Sequence, residues 1–185
     1  MSEILRCPWC GTEPLYVAYH DEEWGKPERD GRALWENLIL EGFQAGLSWI
    51  TILRRRETFR AAFQGFDPAI IATWGEAEVQ CLLADPGIIR HRGKIEGTIL
   101  GAQAFLRIEA REGFSTFIWR HVGGSPLINR PRSLSDVAAQ TPESQILAKA
   151  LKAEGFKLCG PTITYAFMQA CGLVNDHLES CAFRD

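Results

Sequence analysis

Residues 75–106, GEAEVQCLLADPGIIRHRGKIEGTILGAQAFL, read as helix, short turn, helix. The turn falls at 85–92, with Gly93 and Lys94 opening the second helix. In that helix Ile95, Ile99, Ala102 and Leu106 recur on one face at the helical period. Further along the chain Ile163, Ala166, Phe167 and Ala170 repeat the pattern. Asp67-Pro68 and Thr141-Pro142 each pair an N-cap residue with proline at the first helical position, and Gly155 and Gly172 stand where helices end. No convincing alternating run of four or more residues is present. The expected fold is all-α with low strand content.

The turn also carries charge. Backbone N–H groups at a helix start, with Arg90, Arg92 and Lys94 nearby, form an anion site suited to a phosphate. Such a site grips a nucleic-acid backbone without reading bases. An ordinary αα-hairpin with a solvated basic turn accounts for the same residues. Helix-hairpin-helix proteins carry a turn resembling L-P-G-V-G; Pro86-Gly87-Ile88 keeps part of it, and Ile89 stands where the second glycine belongs. The formal net charge of -3 argues against bulk electrostatic binding, so any cationic surface is local: this turn, and Arg54-Arg55-Arg56.

Upstream lies EGFQAGLSW, residues 41–49, after the apolar helical run LWENLIL and before ITIL. The helix is expected to break here. A carboxylate, Glu41, at the end of an apolar helix face and beside a glycine-containing break is how a pocket floor reads in sequence; a solvated Glu next to a glycine C-cap is the bland alternative. Tyr16, Tyr19, Trp24 and Trp49 surround it or the N-terminal cysteines, and Trp9 lies between Cys7 and Cys10. Six tryptophans can simply fill a core. Gathered beside one carboxylate, the rings suit a flat cationic heterocycle.

With 185 residues and 46% hydrophobic content, one core or two small lobes sharing a groove is possible. Residues 123–133, GGSPLINRPRS, are the most loop-like connection between such lobes. No basic start precedes an apolar stretch, and no run of about 18 or more apolar residues occurs, so an intracellular protein without membrane association is expected. Its six cysteines are then reduced thiols, some of them metal ligands. Cys7 and His20 near one end and His177-x-x-x-Cys181 near the other supply a closed tetrahedral set, the latter pair expected on one face of a helical turn. Cys7-Pro8-Trp9-Cys10 is itself a C-x-x-C, and the residues alone leave Cys10 open as a ligand. Cys81, Cys159 and Cys171 fall in apolar periodic stretches and read as small buried hydrophobes. Joining residues 20 and 177 costs roughly 4–5 kcal/mol of loop entropy, against about 10–16 kcal/mol for a structural zinc.

Taken together, RCPWC, PLYVAYHDEEWG, LILEGFQAGLSWITILRRRE, FDP, GIIRHRGKI and YAFMQACGLVNDH, in that order across nearly the whole chain, resemble the DNA-3-methyladenine glycosylase I family. The resemblance implies an all-helical helix-hairpin-helix glycosylase of two lobes, a single unit over 1–185 with the hairpin at about 76–108. It implies one structural Zn²⁺ held by Cys7, His20, His177 and Cys181, with Cys10 a bystander. It implies a base pocket with Glu41 and Tyr19 as hydrogen-bonding groups, Trp49 as stacking platform and Trp9, Tyr16 and Trp24 as walls. Gly46 and Leu47 fall where the family inserts into the DNA stack, and Gly87, Arg90, His91, Arg92, Gly93 and Lys94 match its hairpin. The implied activity is monofunctional excision of 3-methyladenine from double-stranded alkylated DNA by a cytoplasmic monomer. Two other readings compete. A zinc-stapled DNA-binding protein without catalysis leaves Glu41 and the rings without a role, and a cysteine hydrolase using His91 or His121 has no ordered motif behind it.

Overall fold

The computed structural model describes residues 4–184; residues 1–3 and 185, which the single-unit reading also spans, lie outside the described residues. The described chain is mostly helical. In order come α1 (Pro14–Glu22), α2 (Gly31–Gln44), α3 (Trp49–Leu53), α4 (Arg56–Ala62), α5 (Pro68–Ile71), α6 (Glu76–Ala84), α7 (Arg92–Arg111), α8 (Phe114–Trp119), α9 (Pro142–Glu154) and α10 (Pro161–Ala170). None is long and apolar enough to cross a membrane.

The sequence caps act as expected. Asp67 accepts from the N–H groups of Ala69 and Ile70 ahead of α5, and Thr141 accepts from Ser144 N–H ahead of α9. Gly155 ends α9 at φ +106°, a left-handed position that favours glycine. Gly172 follows α10 at φ +65°, and a Cβ there meets the Lys26 carbonyl carbon at 2.3 Å. This glycine is therefore a packing requirement as well as a helix stop.

One hydrophobic cluster runs from Tyr19 to Val174, with α2 at its centre packed against α7, α8 and α10. Ile95, Ile99 and Ala102 face it, as their spacing predicts, but Leu106 is left exposed. Near the end of α7 the neighbour is α8, so the buried positions become Phe105, whose ring lies 4.9 Å from Phe114, and Ile108. Cys81 is likewise exposed, contrary to its reading as a buried hydrophobe, because Val79 and Leu82 carry the inner face of α6. Cys159 and Cys171 are buried.

The segment read as an open connection, 123–133, is stitched down instead. Its residues β1 (Leu127–Ile128) pair in parallel with β2 (Val174–Asn175), in register Leu127 to Val174 and Ile128 to Asn175. A two-residue strand is too short to show a period of two. The pairing fixes the C-terminal segment beside α10, next to a smaller cluster of Cys7, Leu178 and Cys181 where the two ends of the chain meet.

Candidate functional site

Glu41 lies in the last turn of α2 and is only 3% exposed. Its Oε2 has no hydrogen-bond partner among the described residues. With no cation beside it, burial alone pushes the carboxyl up to about 8, since the charged form loses its water without compensation. The helix breaks one residue after Gln44, and Trp49 opens α3 on the far side of the break. Trp49 Nε1 is the second buried polar atom here without a partner. Native interiors rarely leave such atoms unpaired, and these two belong to residues that line one cavity, which marks a place where something else supplies partners.

That place is a cavity of about 320 Å³, lined by Glu41, Tyr19, Trp49, Tyr16, Trp24 and Trp9 together with residues from later in the chain. Its size is at the lower end for small-molecule sites. Trp9 meets Trp24 at 4.9 Å and Tyr16 at 5.1 Å edge-on, and Tyr19 meets Trp49 at 5.5 Å. All six residues that the sequence placed at a pocket therefore come together. Sequence reasoning missed Gln44, Leu134, Val137, Ala166, Gln169 and Asp176. For Ala166 the signal was a small residue on an apolar helix face; for Asp176 it was the neighbour of His177. Leu134 and Val137 sit in a segment without periodicity and carried none.

The break at 45–48 also contains Gly46, at φ +83° with open space around it, and Leu47, exposed although apolar. What holds this break is Lys94. Its Nζ donates to the carbonyls of Phe43 at 2.8 Å and Ala45 at 2.7 Å, and the side chain is buried. The expectation that Lys94 offers charge to a phosphate is thus corrected: the ammonium satisfies orphan carbonyls at the C-terminus of α2, where a cation also suits the helix dipole.

The rest of the hairpin is similarly occupied. Asp85 accepts from Gly87 N–H at 2.7 Å, Thr58 donates to the Gly87 carbonyl at 2.6 Å, and Ile88 is buried beneath the turn. The His91 ring accepts from Lys94 N–H, capping α7. Arg92 is paired with Glu76 and Glu96. Arg90 is exposed and has no ion pair among the described residues. Exposed Gly93 follows at the start of α7. In the other basic run, Arg54 pairs with Glu13 and Arg56 with Glu23, while Arg55 donates to the Thr51 carbonyl.

At the junction of the chain ends, Cys7, His20, His177 and Cys181 are all buried and their ligand atoms lie within 4.8 Å of one another. Cys7 Sγ is 3.6 Å from His177 Nδ1, and Cys181 Sγ is 3.4 Å from His177 Nδ1 and 3.5 Å from His20 Nε2. A tetrahedral ion with metal–sulfur bonds of about 2.3 Å and metal–nitrogen bonds of about 2.0–2.1 Å requires S···N edges of roughly 3.5 Å. The donor set therefore fits a metal ion. His20 Nδ1 donates to Asp21 at 2.7 Å and His177 Nε2 to the Trp24 carbonyl at 3.0 Å, which turns the other nitrogen of each ring inward as a lone pair. The N–H groups of Leu178 and Phe183 point at the two sulfurs. Cys10 stays outside the cluster; its thiol donates to the Cys7 carbonyl. His177 and Cys181 do not share the helical turn expected from their spacing: both follow β2 in an irregular segment closed by the Cys181 N–H bond to the Leu178 carbonyl.

A family model described as methyladenine glycosylase matches residues 9–185. DNA-3-methyladenine glycosylase 1 of Escherichia coli (strain K12) is 51% identical over 177 residues, covering 95% of this chain and 95% of its own. The Haemophilus influenzae DNA-3-methyladenine glycosylase is 48% identical over 177 residues, covering 95% and 96%. Among solved structures, a crystal structure of 3-methyladenine DNA glycosylase I superposes with a TM-score of 0.95 at 54% identity, over 96% of this chain and 98% of that one. The Staphylococcus aureus enzyme, solved for the structural basis of its 3-methyladenine recognition, superposes with a TM-score of 0.94 at 36% identity, over 97% and 96%.

Proposed function

Because the chain belongs to the methyladenine glycosylase family, we propose that it hydrolyses the N-glycosidic bond of 3-methyladenine in double-stranded alkylated DNA, releasing the free base and leaving an abasic site. The observation that carries this reading is the buried, unpartnered Glu41 on the floor of an aromatic cavity. Methylation at N3 makes adenine cationic within the nucleotide, so the glycosidic bond is already weakened and the base departs neutral. Little acid catalysis is needed. The protein has to extrude the nucleotide, at a cost of a few kcal/mol that damage lowers, and hold the base.

Each residue has a part in that task. The indole of Trp49 stacks on the flipped ring, and Trp9, Tyr16 and Trp24 close the walls around it. Glu41 recognises the base: an empty pocket keeps its proton near neutral pH, and a cationic ring supplies the counter-charge that lets it ionise. A neutral adenine offers no such gain, which separates damaged from normal base. Tyr19, a buried residue of the cavity lining, supplies a further hydrogen bond through its hydroxyl. Gly46 and Leu47 fill the space that the nucleotide leaves in the stack, which suits an open glycine and an exposed leucine on a pinned break. The hairpin of α6 and α7 acts as a helix-hairpin-helix element, with Gly87, Arg90, His91, Arg92 and Gly93 against the backbone and Lys94 supporting from within. The cavity lining includes no lysine, so excision proceeds by water without lyase-type strand cleavage.

Zn²⁺ is the ion that a buried pair of Cys and pair of His suits best. Bound by Cys7, His20, His177 and Cys181, it supplies a structural cross-link and no reaction chemistry. The whole chain acts as one unit, a cytoplasmic monomer. The test of function is release of free 3-methyladenine from methylated duplex DNA, measured by mass spectrometry beside DNA binding. Glu41→Ala is expected to lower release far more than binding; equal loss of both in a folded protein refutes the assignment.

A further inference from the structure

One polar pair in the cavity wall has no part in that scheme. Asp176 is 3% exposed and accepts from Asn129 Nδ2 at 2.7 Å, the Tyr165 hydroxyl at 2.6 Å and Gln169 Nε2 at 2.7 Å. Tyr165 and Gln169 are one turn apart on α10, and the pairing of β1 with β2 brings Asn129 alongside. A carboxylate offers acceptors only, whereas an amide end offers a donor on one side and an acceptor on the other. The Gln169 amide therefore turns Nε2 toward Asp176 and leaves Oε1 directed away from it. Gln169 and Asp176 both line the cavity that contains Glu41, and Oε1 has no partner among the described residues.

We propose that Gln169 is a specificity-determining residue that reads the exocyclic amine of a 6-aminopurine through Oε1, and that Asp176 is the positioning residue that keeps this oxygen presented. The inference rests on the base-excision reading above. The exocyclic amine carries the only N–H donors of an N3-methylated adenine in DNA, so an acceptor in the wall has no other donor on that base to meet. Its two N–H groups allow Glu41 and Gln169 to be satisfied together. A 6-oxopurine places an acceptor at the same position and meets Oε1 with like polarity, and a buried polar group left unpaired in this way is a strong source of discrimination.

The experiment compares kcat/KM for release of 3-methyladenine and 3-methylguanine from methylated duplex DNA, for the native protein, Gln169→Met, Gln169→Leu and Asp176→Asn, with Tm recorded for each. The native protein is expected to favour the aminopurine by at least roughly tenfold. In the Gln169 variants this ratio falls several-fold, through loss on 3-methyladenine and relief of the like-polarity contact with the oxopurine, while Glu41 keeps part of the preference. Asp176→Asn is expected to lower it too, because an amide at 176 pairs with either end of Gln169 and releases the lock. A folded Gln169 variant with the native ratio overturns the proposal, whether or not Asp176→Asn folds. A folded Asp176→Asn with the native ratio overturns the positioning role. Release of neither base by the native protein overturns the base-excision reading and this proposal with it, an outcome seen before any variant is made.

Discussion

Replacing Glu41 by Gln removes one titrating group and changes little else in shape, which makes the pH dependence of stability a direct measure of what the buried carboxyl costs. Its ordinary value of 4.5 is raised to about 8 in the folded protein by burial. The folded state thus keeps a proton that the unfolded chain gives up. Glu41 is harmless to stability below pH 4.5, becomes increasingly costly as pH rises from 4.5 to about 8, and costs a constant amount above that. At about 1.4 kcal/mol per decade of pH, the penalty is ~3 kcal/mol at pH 7 and ~5 kcal/mol on the upper plateau. The Glu41→Gln variant carries no such slope. Its new amide N–H₂ adds a fixed cost of about 1–3 kcal/mol if it stays unpaired, so the offset between the curves is uninformative and their divergence is what counts. Urea unfolding at pH 5, 7 and 9, with the slope m checked for constancy, should show Glu41→Gln gaining on the native protein across that range by several kcal/mol. Curves that run parallel from pH 5 to 9 refute the account of Glu41 as an uncompensated buried acid.

The metal cluster predicts that Cys181→Ser or His177→Ala loses one equivalent of zinc, measured by elemental analysis, and lowers Tm by ~10 °C or more; a metal-free variant with the native Tm sinks the structural role. Lys94 and Arg90 separate two uses of positive charge. Lys94→Met should cost ~2–4 kcal/mol, because it strands the buried carbonyl of Phe43 and the half-buried carbonyl of Ala45, with little change in the salt dependence of DNA binding; Arg90→Ala should leave stability alone and reduce the logarithmic salt slope by about one. The reverse pattern would overturn the reassignment of Lys94. Gly172→Ala forces a Cβ to 2.3 Å from a backbone carbon and should cost more than ~3 kcal/mol or prevent folding, whereas Gly46→Ala, at positive φ in open space, should cost only about 1–2 kcal/mol. Chemical denaturation of the two side by side checks the contrast.

Helix identity and several helix ends were legible in the sequence, because the signals are local. An apolar face repeating every 3.6 residues, or a capping side chain three residues from the N–H it accepts, lies within one or two turns of chain, and Thr141, Asp67 and Gly155 acted as read. Glu41 and its rings were also legible as a group, since they concentrate in two short stretches. The four buried Cys and His residues were legible only in part: the residues alone left Cys10 open, and resemblance to a family selected the set that the fold brings together.

What the tertiary structure decided is whom each polar group meets. Lys94 read as surface charge because its neighbours in sequence are basic, yet its partners are carbonyls some fifty residues earlier. The His177–Cys181 spacing suited a helix, and the chain takes an irregular turn there because β2 has already committed the segment to pairing with β1. Gln169 acquires a direction from Asp176, which is itself held by Asn129 across that short pairing and by the Tyr165 hydroxyl on α10. Periodicity along a chain records which side of an element is dry. It does not record which distant donor or acceptor will be waiting there, and burial makes that partner decisive.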